Sequence, residues 1–281
     1  MLKISCFAAA AVFAAPALAD THIAYTDAAG QPGMQLYVKD GKVRMENGAG
    51  QPIGIFDTVN PALLVLMPAQ KRYAVFDEQT AAHLGAEYQE AQKELDDATK
   101  KLQGKAEDLA DKLTTVAQHG LLQTLVGHAL VDYMVKLMIP SGFSMQVELK
   151  PLGTSQTVAG FACQDEQVII SGNPGETRCV AHDLDKLGIP AADLATLQTM
   201  SDDYKQILTA IEPMAPGLSK TMPTGLPVKS QKITFDQATR KLGSRTDTLQ
   251  GISAAPLAAS LFAAPADFTQ VSLDELSAAG H

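Results

Sequence analysis

Between Thr21 and Phe76, short apolar-rich runs alternate with turn-forming residues every eight to ten positions. That rhythm restricts this stretch to an antiparallel meander. The expected strands are residues 22–26, 34–38, 42–46, 51–57, 62–67 and 71–76. Asp40-Gly41 separates the second from the third. A type I′ hairpin needs positive φ at both central positions, which Gly adopts freely and Asp tolerates. Asn60-Pro61 divides the fourth run from the fifth.

The period then changes. Proline disappears from Glu78 to Ile139, and Tyr88, Leu95, Leu102, Leu109 and Val116 recur at intervals of seven. Asp96 and Lys100, Asp97 and Lys101, and Asp108 and Lys112 stand at i,i+4 in the favourable order, each pair worth ~0.2–0.5 kcal/mol. We read residues 78–118 as one long amphipathic helix running through Gly104; a helical hairpin turning at Gln103-Gly104 is the alternative. Residues 121–139 are apolar all round, with Asp132 and Lys136 the only charges, as in a buried helix. Gln123, His128, Asp132 and Lys136 interrupt it too often for a membrane span.

Strand patterning returns after Pro140. Residues 143–150 alternate, with Met145, Val147 and Leu149 on one face. Strands at 156–162, 164–170 and 176–181 follow, with a turn at Ser171-Gly172-Asn173-Pro174-Gly175. Pro190 opens a helix reaching about Ile211, whose buried stripe is Leu194, Leu197, Tyr204, Ile207, Leu208 and Ile211. Residues 228–236 and 240–252 read as further strands, and 268–271 as a last short one.

The first nineteen residues, MLKISCFAAAAVFAAPALA, have one Lys, an apolar run and small residues at Ala17 and Ala19. This is the pattern of a cleavable secretory signal, with cleavage expected after Ala19 and export to the periplasm. Cys6 leaves with the signal. Cys163 and Cys179 remain, and an even pair in an oxidising compartment is expected to form a disulfide. Loss of Lys3 takes Lys plus Arg from 22 to 21 against 31 acids, giving a formal charge of −10. An acidic chain without a basic cluster is a poor partner for nucleic acid, whose phosphates dominate affinity.

Motifs for chemistry are missing. His119 and His128 stand nine apart, not the three or four that share a helical face. His182, Asp183 and Asp185 read as a solvated turn. No HExxH, EF-hand, P-loop, GxGxxG or GxSxG pattern occurs. Asp96-Asp97 are adjacent and so point to different helix faces. We expect no enzyme activity, no metal site and no cofactor.

Several segments carry a resemblance. Tyr37-Val38-Lys39-Asp40-Gly41-Lys42-Val43-Arg44-Met45 resembles the Y-x-K-G-x-K-x-R strand pair of LolA-like periplasmic proteins. Leu63 to Met67 followed by Lys71-Arg72-Tyr73 is similar too. Val158-Ala159-Gly160-Phe161-Ala162-Cys163 resembles the AG-x-x-C strand of that superfamily, Gly225-Leu226-Pro227-Val228 its G-x-P turn, and Phe262 to Phe268 its aromatic close. The resemblance implies an α+β fold, a curved antiparallel half-barrel wrapped around helices, here with a long inserted amphipathic helix. It implies carriage of lipid acyl chains or sensing of misfolded outer-membrane proteins. The expected organisation is a signal at 1–19, one domain at 20–272 with the helical insertion at about 78–139, and a flexible tail at 273–281.

Two functions are weighed. In the first, a lipid or other apolar ligand lies in the half-barrel. It would be lined by Leu125, Leu130, Met134 and Met138 of the apolar helix, facing Leu36, Leu64, Leu66, Met145 and Val147. In the second, the seam of the 78–118 helix binds an envelope protein partner.

Overall fold

The computed structural model describes residues 20–101, 146–236, 241–273 and 275. Two-residue turns set its strand order. Asp40-Gly41, Ala159-Gly160 and Ser171-Gly172 all have positive φ at both positions, the type I′ geometry whose twist matches that of the flanking strands. The strands are β1 (Asp20–Asp27), β2 (Pro32–Lys39), β3 (Lys42–Glu46), β4 (Pro52–Asp57), β5 (Ala62–Met67) and β6 (Arg72–Asp77). After α1 (Glu78–Lys101) come β7 (Val147–Val158), β8 (Phe161–Ile170) and β9 (Asn173–Ala181). Then follow α2 (Ala191–Ala210), β10 (Leu226–Asp236), β11 (Lys241–Ala255) and the short β12 (Thr269–Gln270).

All twelve strands belong to one sheet, ordered β12-β6-β5-β4-β3-β2-β1-β11-β10-β9-β8-β7. The expected half-barrel wrapped around helices, with its long inserted helix, is therefore corrected to an open twelve-stranded sheet with two α-helices among the described residues. The physical cause is β1. It pairs antiparallel with β2 on one edge and with β11, more than two hundred residues away, on the other. The two meanders are thereby zipped into one continuous sheet. α1 is helical to Lys101; the rest of the 78–118 helix and the whole of 121–139 lie outside the described residues.

A smaller correction concerns the strands around Cys163. The expected strand at 156–162 is the tip of a hairpin, because β7 runs on to Val158 and the chain turns at Ala159-Gly160. Pairing of β7 with β8 shifts between Pro151 and Ser155, which lets the long edge strand keep a proline.

The core forms on one face of the sheet, beneath α2. One cluster joins Val38, Val43, Phe56 and Phe76 to Ala81 and Leu84 of α1 and to Ile207, Leu208 and Ile211. The other joins Ile23, Tyr25, Leu36, Val228 and Leu249 to the disulfide. Leu197 packs against both, so α2 bridges the two halves. Its stripe is as expected: Leu194, Ile207, Leu208 and Ile211 are buried, and Leu197 and Tyr204 half-buried. α1 starts on a reciprocal cap, in which the Thr80 amide donates to Asp77 Oδ1 and the Asp77 amide to Thr80 Oγ1, both at 2.8 Å.

The opposite face is covered by the C-terminal segment. Leu257 donates its amide to Asp20 Oδ2 (2.6 Å), and Arg44 reaches the Leu261 carbonyl (2.7 Å). Thr269 and Val271 then bond to Lys71 and Tyr73 at the β6 edge. Leu273 returns to the helix-side core. Asp20, the expected first mature residue, begins β1 outright, its carboxylate held by Lys39 at 2.9 Å.

Candidate functional site

Strand alternation brings Met45, Gly54 and Val65 into one cross-strand row on the helix face, with Phe56 and Leu63 beside them. Gly54 matters here. A Cβ at that position would stand 2.6 Å from the Met45 methyl and 3.3 Å from Leu63 Cδ1, so only a residue without a Cβ lets those two side chains close over the strand and form the floor of a cleft. Met200 and Tyr204 of α2 and Met222 of the following loop form the roof. The result is a cleft of about 290 Å3, open at a rim where Ile53 is 39% exposed. That volume is at the small end of ligand pockets, ~300–1,000 Å3, and suits one small apolar group or the end of a chain.

The cleft is uncharged. Its one polar side chain is Tyr204, whose ring meets Phe56 edge-on at 6.3 Å. Burial pushes the Tyr204 phenol up to about 12, so it stays neutral at physiological pH. Three lining thioethers, from a strand, a helix and a loop, give walls that adapt to irregular apolar shapes.

A larger cleft, about 380 Å3, lies on the other flank of α2. Leu194, Leu197 and Leu226 make its floor, but Gln198, Asp202, Lys205 and Thr224 are on its walls. Lys205 and Asp202 satisfy each other at 3.3 Å. Of the two, the smaller cleft has the continuous apolar lining that retains an apolar guest.

The expected lining residues are divided by the sheet. Leu36 lies on the helix face, in the cluster that contains the disulfide, and Met45 packs against that cluster. Leu64 and Leu66 alternate with Val65 and so point to the opposite face, where Arg44 is tied to the C-terminal segment. Val147 starts β7, buried, with its amide on the Pro216 carbonyl at 2.8 Å. Leu125, Leu130, Met134, Met138 and Met145 lie outside the described residues. Sequence reasoning missed Met45, Phe56, Met200, Tyr204 and Met222. Their one signal was the chain's ten methionines, which says nothing of where they converge.

Cys163 and Cys179 form a disulfide between β8 and β9, with Cα atoms 5.3 Å apart. Among the described residues no group of His, Cys, Asp and Glu is placed to hold a metal ion. Nor is any described helix long and apolar enough to cross a membrane. Buried Asp193, at the start of α2, accepts from Thr21 Oγ1 at 2.6 Å, and burial raises its carboxyl above the ordinary range.

No family model matches the chain, and no curated protein does. A solved structure titled "Structure of PNGF-II in C2 space group" is similar at 10% identity, covering 92% of this chain and 33% of that one, with a TM-score of 0.36. This chain thus spans about a third of that structure's length, and a likeness so low carries no argument for function.

Proposed function

We propose that this is a periplasmic, non-enzymatic binding protein that holds a small apolar ligand, such as the end of a lipid acyl chain, between α2 and β3–β5. The observation that carries the reading is the continuous apolar lining of the 290 Å3 cleft, closed by a neutral phenol. The disulfide suits an oxidising compartment, and the signal-like leader agrees with it. Both accord with what the LolA-like resemblance implies.

Crowding the floor of the cleft is the direct test. Gly54→Leu must displace the Met45 methyl and Leu63 Cδ1 into the cleft, where the ligand would lie. Native mass spectrometry of the gently purified protein should show a co-purifying apolar molecule that G54L lacks. Persistent absence of any such molecule from the wild type, with no binding of the fluorescent fatty-acid dye cis-parinarate, whose chain can enter by its end, refutes the proposal.

A second reading uses α1 to bind an envelope partner. Glu90, Lys93, Glu94 and Asp97 of its outer half are exposed, whereas Ala81, Leu84 and Tyr88 pack on the core. Deleting residues 87–112 and measuring mass in solution tests it. A full-length protein that is already a monomer and pulls down no envelope protein that the deletion loses refutes this reading.

A further inference from the structure

The methionines of the cleft have a chemistry that apolar packing does not use. The two cysteines beyond the first nineteen residues are bonded to each other, so peroxide meets no free thiol there. Thioethers are then the side chains most readily oxidised. Three of the six methionines among the described residues, Met45, Met200 and Met222, converge on one solvent-open cleft and are half-buried. Of the other three, Met214 is buried in the core at 7% exposure, and Met34 and Met67, though also half-buried, pack on the core clusters and do not line the cleft. A cleft that admits a water-sized molecule admits hydrogen peroxide.

We propose that Met45, Met200 and Met222 are an oxidation site, and that their conversion to sulfoxides by hydrogen peroxide expels the apolar ligand. The effect on binding rests on the function proposed above; the site of modification does not. In each step the sulfur lone pair attacks one peroxide oxygen and the O–O bond breaks. The sulfur gains an oxygen and is oxidised by two electrons, and the other peroxide oxygen leaves as water. The new S=O is a strong dipole in a lining whose other groups are hydrocarbon and one phenol. An unpaired polar group facing an apolar guest lowers affinity by roughly tenfold per sulfoxide. Reductases specific for the two sulfoxide epimers reverse the change.

The test treats the mature protein with graded hydrogen peroxide. Peptide mass mapping follows each methionine, titration with the fluorescent fatty-acid dye cis-parinarate follows binding, and circular dichroism confirms the fold. Met45, Met200 and Met222 should gain oxygen before Met214, Met34 and Met67. Dye affinity should fall in step and return after treatment with both sulfoxide reductases. The Met45→Leu, Met200→Leu, Met222→Leu triple variant, compared with itself before and after peroxide, should show no change. Oxidation of Met214, Met34 or Met67 as fast as the cleft methionines overturns the proposal, as does a dye affinity indifferent to the sulfoxides. Failure of the untreated protein to bind the dye overturns the proposed function instead, and the mapping order then judges the oxidation site alone.

Discussion

Gly85 gives the sharpest test of how the helices are packed, because two effects of known size oppose each other there. It lies inside α1, buried, where the helix crosses the end of α2. Replacing a helical Gly by Ala gains about 1 kcal/mol from propensity alone. A Cβ on Gly85, however, would stand 2.5 Å from the Ala210 carbonyl oxygen, and ordinary contact begins at 3.4 Å. The obstacle is backbone, which cannot swing aside as a side-chain tip can. The helices must part by about 0.9 Å, the difference between those two distances. That loosens Ala81 and Leu84 of α1 from Ile207 and Ile211. Overpacking of this kind costs ~1–3 kcal/mol, so after the propensity gain G85A should be less stable by about 0–2 kcal/mol. Urea unfolding measures it, with Ala86→Gly on the exposed face as a propensity control expected to lose about 1 kcal/mol. A G85A protein more stable than the wild type by about 1 kcal/mol, the full propensity gain, refutes the close crossing.

Three further outcomes are expected. Cys163→Ala with Cys179→Ala removes a bridge closing fifteen intervening residues and should cost roughly 3 kcal/mol of unfolding free energy measured in urea; a loss under about 1 kcal/mol would contradict the entropic account. Asp203 has a buried Oδ2 with no partner, and burial, with Asp202 beside it, raises its carboxyl. A folded-state value above the unfolded one means stability is lost as pH rises through that interval. Asp203→Asn should therefore melt higher at neutral pH and match the wild type in acid, and an equal gain at both pH values would show the charge irrelevant. Arg44→Ala leaves the largely buried Glu46 uncompensated and frees the Leu261 carbonyl. It should cost about 3 kcal/mol and open the segment around Ala259–Phe262 to protease, and unchanged digestion there would argue against the strap.

How much was legible beforehand depends on the range of the interaction. Asp40-Gly41 declares its hairpin because left-handed φ is a property of two residues. The α2 stripe declares itself because 3.6-residue periodicity needs no partner to be seen. The disulfide followed from compartment and count. The stretch Ala62–Met67 did not declare its facing: Leu63, Leu64, Val65 and Leu66 are all apolar, so alternation leaves no mark. Only the register against β4 sends Leu63 and Val65 toward α2 and Leu64 and Leu66 away.

Local chemistry, then, determined the turns, the strands of the first meander, the second helix and the bridge. Tertiary structure alone decided that β1 joins β11, because nothing in residues 20–27 names a partner more than two hundred positions distant. It also decided that Met45, Met200 and Met222 share a cleft. Convergence of that kind is a property of the packed sheet and helix, and hydrophobicity, which is non-directional, drives the burial without specifying which side chains meet.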